Sequence, residues 1–308
     1  MEYYGKKKLT EEEQLERERQ YEKNIYNPNN KMITKDDLFS ILENAGLDLE
    51  DSKIKTKLKG LDMRDIRTAF IHKSFCVYNI KVSEELKEES RGWSIPLQTT
   101  SNERFEFLGD SVIDLIVAEY LFDRYPKEKE GFMTKLRTKL VRTSTLAKLS
   151  SYLRLTDYII MSKYVEDLCD GRQNPKLLEN CFESLVGVLY KQLGFEFCND
   201  FVLALIENVD LIDISDMIEN DDNFKDQLMR YCHRTYEGRN PVYKELKVEG
   251  LSNHAIFTMC VMVPISENKM IMLGMAKGPS KKDAEQESAK MAMSKLMKED
   301  LKELVFIN

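Results

Sequence analysis

Hydrophobic spacing changes character once along this chain, and that change restricts it to two unlike folded parts. From Glu103 to about Glu207, apolar residues recur every three or four positions. ERFEFLGDSVIDLIVAEYLFDRY, MTKLRTKLVRTSTLAKLSSYL and LLENCFESLVGVLYKQLG all show it. That is the period of helices packing one face on a core. Pro126 and the stretch 171–175 cut the run into separate helices. After an acidic stretch, 208–223, the pattern becomes one helix at 224–235 and then three strand-like runs, VYKELKVEG, AIFTMCVMVP and KMIMLGMAKG. A last helix starts at Lys281 and ends near Lys298. The order α-β-β-β-α predicts a small α+β domain behind a mainly α domain.

The remaining segments set the boundaries. Residues 1–31 are charged and then Asn-rich, with little to build a core, and predict a mobile or partner-dependent arm. Thr34 is an N-cap candidate for a short helix, with acids in its first turn. Asp65–Phe75 has helical spacing, whereas 78–102, which holds the only tryptophan, Trp93, reads as an insertion loop. The expected division is an extension over 1–60, a helical domain over 61–208, a linker over 209–222 and the α+β domain over 223–300.

Composition excludes several classes. No apolar run reaches the roughly 18 residues a membrane helix needs, and the N-terminal stretch lacks the apolar core of a signal peptide. An intracellular protein with no membrane partner is expected. The six cysteines are scattered without a C-x-x-C pair and there are only three histidines, so reduced thiols are expected rather than a zinc site. A net charge of −7 argues against coating nucleic acid by bulk charge, although residues 223–308 carry a small basic surplus.

Glu103, Glu106 and Asp110 stand at i, i+3 and i+7, on one helix face among Phe105, Phe107, Leu108, Val112 and Ile113. Carboxylates on a half-buried face repel one another and lose hydration, and a divalent cation answers both costs. A later helix carries Glu179, Asn180 and Glu183 amid Leu177, Leu178, Phe182 and Leu185. Glu106, Asp110 and Glu183 together would form a hard, oxygen-rich site suited to Mg²⁺ or Mn²⁺. On spacing alone, solvated or salt-bridged acids remain the ordinary alternative. Gly109 would let substrate backbone or another helix come close.

NERFEFLGDS, residues 102–111, closely resembles the signature helix of the ribonuclease III family. AFIHKSF (69–75), EGFMTKLRTKLVRTSTLAKLS (130–150) and LLENCFESLVGVLY (177–190) resemble its first, central and second catalytic helices. The resemblance covers about 61–208. It implies a homodimeric endoribonuclease that uses Mg²⁺, with Mn²⁺ able to substitute. Such an enzyme cuts both strands of duplex RNA, leaving 5′-phosphate and 3′-hydroxyl ends with short 3′ overhangs. It implies Glu106, Asp110 and Glu183 as metal ligands, Glu103 as support for the dimer interface or the ligands, and Phe107 near the dimer contact. One departure stands out: Asn180 replaces the family's aspartate. An amide oxygen can still hold a metal-bound water, but the lost charge lowers cation affinity. Natural tuning, lost catalysis and an engineered change all fit, so a weakened or inactive duplex-RNA binder is the alternative function.

Residues 223–298 resemble a double-stranded-RNA-binding domain, most specifically in GMAKGPSKKDAEQESAKMAMSKL, 274–296. Ser280 is a natural N-cap, and Lys281 and Lys282 follow in the first turn, where cations oppose the helix dipole unless phosphates face them. The resemblance implies duplex-RNA contacts from Lys277, Lys281 and Lys282, and from the loop Ser252, Asn253 and His254. Met229 stands where related domains often have glutamine. His72 and His233 are read as structural.

Overall fold

The computed structural model describes residues 24–79, 82–219, 223–236, 238–249, 255–266 and 269–297. They form two compact units that divide near residue 217.

The first unit is helical: α1 (Lys35–Asn44), α2 (Ser52–Lys59), α3 (Met63–Thr68), α4 (Glu84–Ser90), α5 (Glu103–Arg124), α6 (Glu130–Leu140), α7 (Thr143–Tyr152), α8 (Lys163–Leu168), α9 (Pro175–Leu193), α10 (Phe195–Ile206) and α11 (Ile214–Glu219). Its centre is α9. Asn174 caps it by accepting from the Lys176 backbone N–H at 2.9 Å, and Pro175 opens it, where a missing N–H costs nothing. It ends at Gly194, whose φ of +87° suits glycine. Leu178, Phe182, Leu185 and Leu189 are buried along it, in one core with Ile113, Ile116, Leu121, Leu146, Leu149 and Phe201.

Three stretches are more ordered than their sequence suggests. The Asn-rich part of the expected mobile arm is pinned: Asn27 Nδ2 donates to Met161 O at 3.1 Å and to Glu166 Oε2 at 2.7 Å. Asn30 exchanges bonds of 3.0 and 3.1 Å with the Met161 backbone. Ile25 and Tyr26 are buried beside Ile71, Phe75 and Ile160. Side-chain amides that mimic a strand partner read as loop by composition, yet here they bind backbone. The rest of the arm, residues 1–23, lies outside the described residues. Nor is 24–60 an appendage: Ile33, Leu38, Ile41, Leu42 and Leu58 join the main core. The expected insertion loop holds α4 and rejoins the unit at a Cys76–Gln98 bridge, with Leu86, Ile95 and Leu97 packed on the Ile25–Phe75 cluster. The start of the expected linker is also core. Leu211 and Ile212 are buried, and Lys148 Nζ and Lys139 Nζ donate to Leu211 O and Met217 O.

The second unit has the order read from the sequence: α12 (Phe224–Thr235), β1 (Val242–Glu249), β2 (Ile256–Ser266), β3 (Lys269–Gly278) and α13 (Lys281–Met297). The sheet is antiparallel in the order β1-β2-β3. Its core draws Leu228 and Cys232 from α12, Val261, Val263 and Leu273 from the sheet, and Ala289, Ala292 and Met293 from α13. Small residues on α13 let it lie close to the sheet.

Candidate functional site

Helices α5 and α9 cross almost backbone to backbone. A Cβ on Gly109 would lie 1.8 Å from Glu183 O, and one on Gly187 would lie 2.2 Å from Phe105 O. The sequence left open whether Gly109 admits substrate or a helix; it admits a helix. This contact holds the acidic faces of the two helices together.

Glu183 is 4% exposed. Its carboxyl has no hydrogen bond or ion pair among the described residues. Burial pushes it up to about 8, and Glu179, Asp110 and Glu106 add repulsion that Lys176 partly offsets. Glu106 is half-buried and is also raised, chiefly by burial. Asp110 is exposed. Asn180 Oδ1 is fully buried and accepts no hydrogen bond. Glu103 is paired with a lysine: Lys73 Nζ lies 2.9 Å from Glu103 Oε1 and, with Ser101, holds its carboxyl below the usual range, while Glu103 still adds repulsion at Glu106. Phe107 is 79% exposed.

The oxygen set fits a hard cation, which would satisfy the orphaned Asn180 oxygen and offset the repulsion that Glu183 feels from its acidic neighbours. Among the described residues no three acidic side chains stand close enough to hold an ion as they are.

Two residues beside the acids went unassigned in the sequence. Glu179 is 6% exposed, and Lys176 Nζ lies 2.7 Å from its Oε2. The contact is an ion pair by distance, and Oε2 gains no well-aligned hydrogen bond. Their signal was spacing: 176, 179 and 183 fall at i, i+3 and i+7, the rhythm already noticed on α5.

His72 has no place in this chemistry. Its Nδ1 lies 2.8 Å from Ser74 Oγ, and burial lowers it to about 4, so it is neutral at pH 7.

In the second unit, Ser280 caps α13: its Oγ accepts from the Asp283 N–H at 3.1 Å. Lys281 and Lys282 are exposed in the first turn. Lys281 Nζ lies 2.8 Å from Glu245, and Lys277 Nζ 2.8 Å from Glu249. Both are surface pairs, worth little, that a phosphate can replace. Ser252, Asn253 and His254 lie outside the described residues. Met229 is 39% exposed on α12, and His233 Nε2 lies 2.7 Å from Asn240 Oδ1.

Among the described residues no helix is long and apolar enough to cross a membrane.

Known proteins resemble both units. Residues 65–209 match the ribonuclease-III-like family and 224–296 the double-stranded RNA binding motif. A probable ribonuclease 3 of Acanthamoeba polyphaga mimivirus is 34% identical over 86% of this chain, which spans 46% of that longer protein. Ribonuclease 3 of Nitratiruptor sp. is 38% identical over 63% of the chain and 81% of its own length. A crystal structure of the ribonuclease III nuclease domain from Campylobacter jejuni is 29% identical and covers 57% of this chain and 98% of its own, with a TM-score of 0.42. On the bacterial relative's identity and coverage, supported by both motif matches, the chain belongs to the ribonuclease III family of endoribonucleases acting on double-stranded RNA.

Proposed function

We propose that this ribonuclease III cleaves duplex RNA by divalent-metal-dependent hydrolysis, giving 5′-phosphate and 3′-hydroxyl ends with short 3′ overhangs. The observation that carries the reading is Glu183: a buried residue whose carboxyl makes no hydrogen bond or ion pair among the described residues and is beset by acidic neighbours. Glu106, Asp110 and Glu183 would hold Mg²⁺ or Mn²⁺, with the Asn180 amide oxygen fixing a coordinated water. The ion, when bound, supplies an activated water and charge stabilisation on the leaving oxygen. The chain's own part is to orient these oxygens on two helices locked at Gly109 and Gly187 and to exclude bulk water behind them.

The assembly is a homodimer. Each chain has one such acidic centre, and two strands need two. Phe107, Leu115 and Phe122, which are 79, 57 and 68% exposed, lie within one face of α5 and supply an apolar stripe for the second copy. The second unit grips the duplex through Lys277, Lys281 and Lys282, reading shape and phosphates rather than sequence. Six free thiols support a reducing, intracellular setting.

The test is incubation of the full chain with long duplex RNA and Mg²⁺ or Mn²⁺, beside Glu183→Gln and Asn180→Asp. The parent should cut, Glu183→Gln should bind without cutting, and Asn180→Asp should cut faster at low Mg²⁺. If neither the parent nor Asn180→Asp cuts with either metal, the protein binds duplex RNA without cleaving it. A Glu183→Gln protein that cuts like the parent places the acidic site elsewhere.

A further inference from the structure

The acidic centre has lost a carboxylate at Asn180, yet the residue before it is a glutamate, buried as deeply as Glu183. Glu179 and Glu183 are one helical turn apart on α9 and share a face. A buried glutamate on a helix needs a reason, because an ordinary surface acid would be solvated. Its only described partner is Lys176, one turn earlier, whose ammonium lies 2.7 Å from Glu179 Oε2. That ammonium also feels Glu183 and Glu106 favourably. Lys176 therefore makes its one short contact at Glu179 while its charge also favours the neighbouring acids. Two further observations point to a ligand at this group. Asn180 Oδ1 is buried with no donor, and Glu183, a residue only 4% exposed, makes no hydrogen bond or ion pair among the described residues.

We propose that Glu179 is a carboxylate ligand of the metal centre, taking the place of the one absent at Asn180, and that Lys176 is a resident counterion that yields when a divalent cation enters. The assignment rests on the acidic centre of the proposed function and concerns which of this chain's residues complete it. Charge and reach both favour it. Moving the carboxylate back one residue turns it about 100° around the helix, and the extra methylene of glutamate over aspartate gives reach to offset the turn. A site with three carboxylates and an amide regains a fourth negative charge, and hard cations bind according to that count. In the ion-free protein the same four charges would repel strongly, and one ammonium close by lowers that cost. Entry of a doubly charged ion beside the ammonium is unfavourable, so Lys176 must swing out along its flexible stem, and its side chain is exposed enough to do so, at 59%.

The test is Mn²⁺ binding to the full chain without RNA, followed by electron paramagnetic resonance and calorimetry at fixed pH. Glu179→Gln should weaken binding by about tenfold or more. Adding Asn180→Asp to Glu179→Gln should restore affinity to within a few-fold of the parent, which also shows that the fold survives. Lys176→Met should tighten binding several-fold. Glu179→Gln binding Mn²⁺ as well as the parent, or better, would make Glu179 merely the partner of Lys176 and overturn the assignment. Unchanged affinity in Lys176→Met overturns the role of the ammonium. If Glu183→Gln loses Mn²⁺ while Glu179→Gln keeps it, the acidic centre stands and this assignment falls. A parent that binds no Mn²⁺ removes the centre and the assignment together.

Discussion

Glu183 concentrates the tension of the whole site. Its carboxyl is pushed from 4.5 to about 8, first by burial and then by Glu179. A raised acid stabilises the fold fully below its unfolded value and loses that advantage as pH climbs through the folded value. With metal chelated, stability should therefore fall between about pH 4.5 and about pH 8. Glu183→Gln, which cannot ionise, should flatten that slope and melt higher than the parent at pH 8. Thermal melts of both proteins in chelator across this range check it; parallel curves would show that Glu183 is solvated. The residue scale is also where the sequence said most. Glu106, Asp110, Asn180 and Glu183 were legible as candidates because signature words fix their positions on two helices. Glu179 was visible in the same word but had no meaning until its burial and its link to Lys176 were known.

At the scale of elements, the site depends on how closely α5 and α9 approach. Alanine at Gly109 would put a methyl 1.8 Å from Glu183 O, and neither helix backbone can yield without moving Glu183 or Asp110. Gly109→Ala should lower stability by about 3 kcal/mol, as overpacking of tight contacts does, and weaken cleavage through misplacement of Glu183. Chemical denaturation and single-turnover cleavage measure the two. Helix α13 makes a separate case. Lys281→Ala with Lys282→Ala should weaken duplex binding alike for all sequences and make the log–log salt dependence shallower by roughly 1–2 units. Titrations at several salt concentrations decide it, and an unchanged slope would turn this helix away from the RNA. The elements themselves were legible: α12, the three strands and α13 sit where the hydrophobic period changes. Misread segments were those ordered by contacts with distant parts of the chain, both apolar and polar. Asn27 and Asn30 look like loop residues, yet they bind the Met161 backbone from more than a hundred residues away.

For the whole molecule, the prediction is a dimer through α5. Phe107→Asp with Phe122→Asp replaces two exposed apolar side chains by charges on the stripe, so folding of the chain is spared while pairing is not. Sedimentation of the full chain should show two copies for the parent and one for the variant, and double-strand cleavage should fall with the loss of pairing. A parent that sediments as a single chain at micromolar concentration would refute the paired-centre arrangement.

What the sequence determined by itself is what period and local chemistry encode: a helical part followed by α-β-β-β-α, the capping of α1 and α13, and the acids on α5 and α9. Those properties depend on neighbours a few residues apart, so they survive being read along a line. Tertiary structure alone decided that Ile25, Leu38 and Ile212 are buried in the first unit, that Glu103 pairs with Lys73, and that Glu179 is buried beside Lys176. Burial and pairing across long separations follow from how faces meet in three dimensions. No spacing rule reports whether a given carboxylate ends in water or against another helix.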